Sequence, residues 1–223
     1  MTSAADPKAV KRERIARRIA RELPENGLVN LGIGLPTLVA DYLPQDKTIF
    51  LHSENGFTGL GPAPLPGKED CRIVNAGGKP VTILPGGAFF DSAMSFAICR
   101  GGHLDVTVLG ALEVDEEGNL ANYMIPGKMV HGMGGAMDLV VGAKKVIVAM
   151  EHVNKNGAPK ILKCCTLPLT ARREVDIIVT EMAFIRVTPK GLYLEEIAED
   201  TTVEAVMRAT QAKLIIPSSV GRF

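Results

Sequence analysis

The residues of this chain best suited to chemistry are Ser-Glu-Asn-Gly at 53–56. They follow Thr-Ile-Phe-Leu at 48–51, a short β-branched and apolar run typical of a buried strand. They precede 57–62, a segment rich in Gly and Pro that is typical of a turn. Ligands of open α/β sheets bind beyond the carboxyl ends of the strands. Glu54, with Asn55 and Gly56 allowing close backbone approach, is therefore a candidate nucleophile or general base. The alternative is a solvated turn glutamate.

A first glycine loop, Gly-Ile-Gly-Leu-Pro at 32–36, follows a predicted strand at 28–31. The third glycine of a dinucleotide fingerprint is missing and Pro36 stands where the loop should enter a helix, so nicotinamide chemistry is disfavoured. Backbone N–H groups around Gly32 and Gly34, beside a helix N-terminus, suit an anionic or polar acyl group. Asn30 could donate an amide hydrogen bond there. The alternative is a tight turn in which Asn30 is satisfied internally.

A second loop of small residues, Gly-Met-Gly-Gly-Ala-Met-Asp, spans 132–138. Its side chains offer no acid–base group before Asp138. Exposed N–H groups of such a loop could hold a carbonyl oxygen that becomes an oxyanion. Packing against a neighbouring subunit is an alternative compatible with the first.

Several chemistries can be set aside. The chain has no GxSxG elbow and no P-loop, and its four histidines lack short metal-ligand spacing, so we expect no metal site. His52 lies two residues before Glu54, hence on the same strand face, which leaves it a small role or a purely structural one. A carboxylate is ionised at neutral pH and needs no base to act as a nucleophile. The inventory therefore suits exchange of CoA between two carboxylic acids, since one thioester replaces another without ATP.

Strands alternate with helices along the chain, and no stretch resembles a linker, which predicts one α/β domain over 1–223. An amphipathic helix occupies 1–24, with Ile15 and Ile19 on its apolar face and a solvated arginine face opposite. Further strands are predicted at 104–109, 145–150 and 175–180, and a helix runs from Asp91 or Ser92 to Cys99. The last residues, from about 213 to 223, are expected to form a loose tail.

Composition limits the partners. The chain of 223 residues has 25 basic and 25 acidic side chains and 4% aromatics, so neither nucleic acid nor an anionic membrane is an expected partner. No apolar run reaches the length of a membrane span, and no signal peptide is recognisable. Four cysteines without CxxC spacing fit a reduced, cytoplasmic protein.

The motifs together resemble the β subunit of the family I CoA-transferases, the short-chain acyl and 3-oxoacid group. The resemblance runs from Arg14 to about Ala212. Its landmarks are Val-Asn-Leu-Gly-Ile-Gly-Leu-Pro-Thr at 29–37, Ser-Glu-Asn-Gly at 53–56, Asn-Ala-Gly at 75–77, Gly-Gly-Ala-Phe-Phe-Asp at 86–91, Ser-Phe at 95–96, Arg-Gly-Gly-His at 100–103, Gly-Met-Gly-Gly-Ala-Met-Asp at 132–138 and Leu-Pro-Leu-Thr at 167–170.

The resemblance implies a single-domain, open, mostly parallel sheet flanked by helices, of the CoA-transferase type. It implies that Glu54 forms an acyl anhydride and then a glutamyl-CoA thioester in a ping-pong cycle. Asn30 and the loop from Gly32 to Gly34 would line the pocket, and Gly134 and Gly135 would lie near the thioester. The substrates would be an acyl-CoA and a short-chain carboxylate or 3-oxoacid, with no cofactor beyond CoA. An α subunit is implied, most simply in an α2β2 heterotetramer.

The resemblance leaves the substrates open. Similarity favours acetate or butyrate–acetoacetate transfer, because Gly78 stands where transferases for succinyl donors often carry Lys. Succinyl-CoA:3-oxoacid and 3-oxoadipate transfer are alternatives, and Tyr123 replaces a common Trp with no readable consequence. A sugar-phosphate isomerase with Glu54 as general base shares the fold, but we can place neither a phosphate cradle nor a ring-opening acid. A subunit that only supports its partner is disfavoured by the intact motif around Glu54.

Overall fold

The computed structural model of the chain describes residues 6–128, 130 and 132–223. Its α-helices are α1 (Pro7–Glu22), α2 (Ser92–Arg100), α3 (Ala136–Gly142) and α4 (Val203–Ala209), and a 3-10 helix spans Pro36–Tyr42. Its strands are β1 (Leu28–Leu31), β2 (Phe50–Ser53), β3 (Phe57–Leu60), β4 (Ile83–Phe89), β5 (Val106–Gly110), β6 (Glu113–Asp115), β7 (Leu120–Ala121), β8 (Val146–Ala149), β9 (Ile161–Leu162), β10 (Ile177–Val179), β11 (Ala183–Thr188), β12 (Gly191–Ile197), β13 (Leu214–Ile215) and β14 (Gly221–Arg222).

The main sheet has the strand order β13-β12-β11-β10-β8-β5-β1-β2-β3-β4, with β14 also paired to β12. Its centre, β10-β8-β5-β1-β2, is parallel. The central strands β5, β8 and β10 are short apolar runs, as expected where helices or loops cover both faces of a parallel sheet. The predicted α/β class with a mostly parallel central sheet is confirmed. Strands β7, β6 and β9 form a separate small sheet.

Two hydrophobic clusters lie on opposite faces of the main sheet. On one face α1 contributes Ile15 and Ile19, which pack with Val29 and Val108 of the central strands. On the other face α2 and α3 pack with the side chains that alternate with these, such as Val148. The direction in which strands are added to the sheet reverses between the parallel strands β1 and β5, since β2 is added on one side of β1 and β5 on the other. This switch point is where ligands of open α/β sheets bind.

Three local expectations are corrected by the structure. The segment expected to be a turn after Gly56 begins with β3, which pairs antiparallel with β2, so 53–57 is a hairpin. The expected loose tail is instead tied to the sheet, because β13 and β14 both pair with β12. The arginine face of α1 is not wholly solvated, since Arg18 is buried over the ring of Phe184 and pairs with Glu196.

No helix in the described part of the chain is both long and apolar enough to cross a membrane. The first five residues of the segment expected as helix 1–24 lie outside the described residues, as does His131. Within the described segment, α1 begins at Pro7, where the Asp6 side chain accepts a hydrogen bond from the Lys8 N–H and proline is suited to the first helical turn.

Candidate functional site

Glu54 lies in the tight turn of the β2–β3 hairpin, directly after the carboxyl end of β2. The Gly56 N–H donates to the Ser53 carbonyl at 3.0 Å, which closes the turn. Gly56 has a φ of +131°, and a Cβ on it would collide with the Phe90 carbonyl oxygen. Glycine is therefore required at 56 on both backbone and steric grounds. The predicted position of Glu54 at a strand end is confirmed, although the element after it is a strand.

The Glu54 side chain is half-buried and has an amide donor beside it. Asn30, from the neighbouring strand β1, places Nδ2 3.3 Å from Glu54 Oε2. Asn30 itself is fully buried, and its Nδ2 also lies 3.3 Å from the His52 carbonyl oxygen. Both of these oxygens are acceptors, which fixes the orientation of the Asn30 amide. Adjacent parallel strands thus bring together two predicted site residues that are 24 positions apart.

His52 lies beneath Glu54 and is fully enclosed. Burial lowers its pKa to about 4, so the ring is neutral near pH 7. Nε2 is 3.2 Å from Ser95 Oγ, and Ser95 Oγ donates to the Glu54 carbonyl oxygen at 2.7 Å. The one hydrogen of Ser95 Oγ is donated to the Glu54 carbonyl, so Ser95 Oγ accepts from Nε2, which carries the ring proton. The unprotonated Nδ1 faces Asn30 Nδ2 at 3.3 Å. A hydrogen-bonded chain thus links the side-chain and backbone sides of Glu54 through His52.

Ser95 is the participant that sequence reasoning missed. It is buried on α2, whose N-terminus is capped by the Asp91 side chain accepting from the Met94 N–H. The chain separates Ser95 from Glu54 by 41 positions. Its occurrence inside the Ser-Phe motif at 95–96 was the only available signal, and a serine in a helix gives no indication of its partner.

Asn55, the predicted neighbour of the nucleophile, turns away from it. Its Nδ2 donates to the Val74 carbonyl at 2.7 Å, and its Oδ1 accepts from Ser53 Oγ at 2.6 Å. Ser53 Oγ in turn accepts from the Ala76 N–H at 3.2 Å. Asn55 and Ser53 therefore fasten the hairpin turn to the loop at 74–79, and Asn55 supports the position of Glu54 from outside the pocket.

The first glycine loop is only partly available to a ligand. The Gly32 N–H donates to the Val108 carbonyl at 2.8 Å, so the structure uses this group to join β1 to β5. This corrects the expectation that the N–H of Gly32 is free for an acyl group. Gly34 has a φ of +96° with open space around its Cα, and its carbonyl accepts from Thr37 Oγ1 at 2.8 Å. The helix that follows is of the 3-10 type.

The second glycine loop reaches Glu54 directly. A Cβ on Gly135 would lie 3.7 Å from Glu54 Cγ and 3.1 Å from the Phe96 ring. Gly135 is the N-cap of α3, and Gly134 before it has a φ of +54° with open space where a Cβ would lie. An ion pair of 2.7 Å between Arg100 and Asp138 joins α2 to α3. The structure therefore places Glu54, Asn30 and Gly135 in one site.

A small cavity of about 190 Å³ lies behind the hairpin. It opens between the ends of β1 and β2 and the loops around 62 and 76. Most of its lining is apolar, and two charged side chains, Asp41 and Lys79, also line it. His52 and Ser53, which precede Glu54 in the chain, form part of its wall.

Comparison with known proteins identifies the family of this chain. Residues 12–209 match the family described as coenzyme A transferase. The chain belongs to the coenzyme A transferase family. It is 54% identical over 210 residues to the β subunit of the acetate CoA-transferase of Escherichia coli K12, a match that covers 94% of this chain and 96% of the relative. It is 48% identical over 209 residues to one subunit of the probable succinyl-CoA:3-ketoacid coenzyme A transferase of Bacillus subtilis 168, covering 94% and 97%.

Among solved structures, the fold is similar to that of an acyl-CoA transferase from Escherichia coli O157:H7. The TM-score is 0.76 at 22% identity, and the match covers 96% of this chain but 43% of that one. The chain thus spans less than half the length of that transferase. The sequence relatives identify it as a transferase of the β-subunit type, and the structural likeness supports the fold.

Proposed function

We propose that this chain is the β subunit of an enzyme that moves CoA between a short-chain acyl-CoA, acetyl or butyryl, and acetoacetate. The reaction passes through a covalent glutamyl-CoA thioester on Glu54. The observation that carries the proposal is the surroundings of Glu54: a carboxylate at a strand end with an amide donor at 3.3 Å on one side and the Gly135 backbone on the other.

The reaction needs no net proton transfer. The Glu54 carboxylate attacks the thioester carbonyl, and the tetrahedral oxyanion collapses with departure of CoA thiolate, leaving an acyl-glutamyl anhydride. The thiolate then attacks the glutamyl carbonyl and releases the acyl group as a carboxylate. An acceptor carboxylate reverses both steps and leaves as a new acyl-CoA. This explains why a neutral, buried His52 is compatible with the site, because no base is required.

The neighbours of Glu54 have distinct proposed roles. Asn30 aligns the attacking carboxylate through Oε2 and stabilises negative charge there when the carboxylate is regenerated. Backbone N–H groups around Gly134 and Gly135 are the proposed donors for the oxyanion. Each such donor contributes on the order of 3 kcal/mol in enzymes that use them. We propose that CoA acts only as a substrate and that no resident cofactor is needed.

The short-chain assignment is supported by the volume of the cavity behind the hairpin, about 190 Å³, which suits a small acyl group; its lining is mostly apolar but includes Lys79. Gly78 has a φ of +73° in the adjoining loop, a backbone conformation that a lysine side chain there would strain. The succinyl and 3-oxoadipate alternatives differ in requiring a partner for a second carboxylate. Competition between acetoacetate, succinate and 3-oxoadipate as acceptors separates them.

The proposed partner is an α subunit that completes the site, most simply as α2β2. Support comes from apolar side chains that are exposed beside the hairpin: Leu84, Phe89 and Met94 are 47%, 64% and 55% exposed. A group of large, exposed apolar side chains is typical of protein interfaces. We also propose a cytoplasmic location, which four unpaired cysteines fit.

The test is trapping of the intermediate in the α–β complex. Borohydride reduction after exposure to acetoacetyl-CoA should convert a Glu54 thioester to an alcohol, seen as a mass loss on that one peptide. Glu54→Gln should abolish both the mass change and transfer, since an amide is a poor nucleophile of similar shape. Glu69→Gln, which changes an exposed glutamate, is the matched control. An unmodified Glu54 peptide in a complex that transfers CoA would refute the covalent mechanism.

A further inference from the structure

The sequence contains three Asn-Gly pairs, at 26–27, 55–56 and 156–157. Asparagine before glycine is chemically labile, because the glycine backbone nitrogen can attack the side-chain amide carbon of the asparagine with no Cβ to hinder it. The attack closes a succinimide ring and releases ammonia. It requires an asparagine side chain that is free to turn and a backbone that can distort locally. The three pairs differ in both respects.

The pair in the β2–β3 turn is held through both of its residues. Asn55 Nδ2 donates to the Val74 carbonyl at 2.7 Å, and Asn55 Oδ1 accepts from Ser53 Oγ at 2.6 Å. Gly56 is buried, and its carbonyl accepts from the Phe90 N–H at 2.9 Å. Closure of the ring would break both side-chain contacts and displace a buried turn, so the fold protects this pair.

The pair before β1 is protected by its backbone. Asn26 is exposed, but Gly27 is buried. The Asn26 N–H donates to the Thr48 carbonyl at 2.7 Å, and the Gly27 carbonyl accepts from the Phe50 N–H at 2.9 Å. The Gly27 N–H donates to the Pro24 carbonyl at 3.3 Å. The ring can therefore close only if the chain entering β1 separates from the chain entering β2.

The third pair has neither form of protection. Both residues are exposed and lie in the turn between Val153 and Pro159, which form an isolated β-bridge. Within the described ranges, the side-chain amide of Asn156 makes no hydrogen bond, while its backbone N–H donates to Asn154 Oδ1 at 2.9 Å. Gly157 has a φ of +80° with open space where a Cβ would lie. The Gly157 N–H donates to the Asn154 carbonyl at 2.9 Å, a contact inside an exposed turn that local opening releases easily.

We propose that Asn156 is a site of spontaneous deamidation in the native protein. The Gly157 nitrogen forms a bond to Asn156 Cγ, and the side-chain amide nitrogen leaves as ammonia. Water then opens the succinimide. Cleavage of the bond from the Gly157 nitrogen to Cγ gives aspartate, and cleavage of its bond to the backbone carbonyl carbon of residue 156 gives isoaspartate. This chemistry is independent of the transfer reaction at Glu54.

The conversion changes both the charge and the backbone of this turn. A neutral amide becomes a carboxylate next to Lys155, which together with Lys160 lines a cavity of about 670 Å³. Isoaspartate also adds a methylene carbon to the main chain after residue 156. The Ala158 N–H, which donates to Asn154 Oδ1 at 3.1 Å, is then displaced from its acceptor. The turn therefore gains negative charge and loses part of its internal hydrogen bonding as the protein ages.

The test follows all three asparagines in one sample of the α–β complex. The complex is incubated at mildly alkaline pH, which favours attack by the glycine nitrogen. Peptide mass spectrometry measures the amide-to-acid mass shift at each pair over time, and an isoaspartate-specific methyltransferase detects the isoaspartate form. We expect Asn156 to convert at least about 10-fold faster than Asn26 or Asn55, because those two require opening of buried backbone.

Two controls isolate the contribution of the fold. In the chain unfolded by urea, the three pairs should convert at similar rates. Asn156→Gln should remove the fast conversion and the more acidic species seen by native isoelectric focusing, because glutamine closes its larger ring slowly. Conversion of Asn26 or Asn55 in the folded complex as fast as that of Asn156 would overturn the proposal. Conversion of Asn156 in urea but not in the complex would overturn it as well, since the native turn would then be protective.

Discussion

Two buried histidines lie at different places along the carboxyl side of the sheet, His52 at the hairpin and His152 after β8. Both are almost fully enclosed, and burial lowers the pKa of each to about 4. In each histidine, both ring nitrogens lie within hydrogen-bond distance of another side chain. His152 lies 2.8 Å from Thr180 Oγ1 and 2.8 Å from Thr210 Oγ1, whereas the two contacts of the His52 ring are 3.3 and 3.2 Å.

The partners distinguish these histidines where burial and pKa do not. The hydrogen-bond network around His152 ends on backbone groups, since Thr210 Oγ1 donates to the Val206 carbonyl at 2.8 Å. That network cross-links the end of β10 to the end of α4. The network around His52 ends instead on both sides of Glu54, through Asn30 and Ser95. A perturbed pKa therefore indicates a functional site only when the next partner along the network is a reactive group.

The largest effect on turnover is expected at Asn30, which lies between His52 and Glu54. Asn30→Asp should replace the amide donor 3.3 Å from Glu54 Oε2 with a second carboxylate. Like charges at that distance disfavour the ionised nucleophile, so we expect kcat to fall by about 10²–10³-fold. Single-turnover formation of the glutamyl thioester measures the loss at the chemical step.

Asn30→Ala is the companion variant, because it removes the donor without adding charge and should cost less than Asn30→Asp. The melting temperature of each complex controls for misfolding. Turnover of Asn30→Asp within threefold of the unaltered enzyme would mean that the contact with Glu54 has no catalytic consequence.

The next effect separates the two histidines themselves. His52→Gln should lower kcat about 10-fold with little change in melting temperature, because it loosens the support of Asn30 and Ser95 rather than the core. His152→Gln should leave kcat unchanged at temperatures below thermal unfolding. It should lower the free energy of unfolding by about 1–3 kcal/mol, which in a chain of this size lowers the melting temperature by several degrees. Kinetics and thermal melting of both variants in the α–β complex provide the comparison.

A conservative variant adds a control for geometry. The Asn side chain reproduces the reach of Nδ1, so His52→Asn should preserve the contact with Asn30 and lose the one with Ser95. If His52→Gln and His152→Gln changed kcat equally, the distinction between a structural and a positioning histidine would be wrong.

Local sequence patterns predicted the parts of the site that depend on strand ends and on glycine. Glu54 follows an apolar strand, and Asn30 precedes a glycine loop on a second strand, so parallel pairing suffices to bring them together. Gly56 is explained by the close approach of the Phe90 carbonyl oxygen, and Gly135 by that of the Phe96 ring.

The remaining features depend on tertiary contacts that have no local signature. Ser95 reaches Glu54 only because α2 packs against the hairpin, and Arg18 is buried only because Phe184 and Glu196 meet it. The N–H of Gly32 donates a hydrogen bond to β5, a strand far along the chain. The tail could not be predicted because its two strands are too short to show an alternating hydrophobic pattern. They form because they pair with β12.

The smallest expected effect is on the pH dependence of stability, in which the two histidines should behave alike. Each has a folded-state pKa of about 4, below the ordinary value of 6.5, so the unfolded chain binds protons first as pH falls. The stability that each neutral ring contributes is fully present above pH 6.5 and is lost as pH falls from there toward 4.

His52→Gln and His152→Gln should therefore each reduce the slope of unfolding free energy against pH by up to about 1.4 kcal/mol per pH unit in that window. Urea denaturation of the complex at pH 7, 6 and 5, at one protein concentration, measures the slope. Equal reductions would show that burial acts on both rings in the same way, while the kcat values still differ. An unaltered slope for His52→Gln alone would mean that its ring is solvated in the assembled enzyme, and the chain from Asn30 to Ser95 would then no longer account for the position of Glu54.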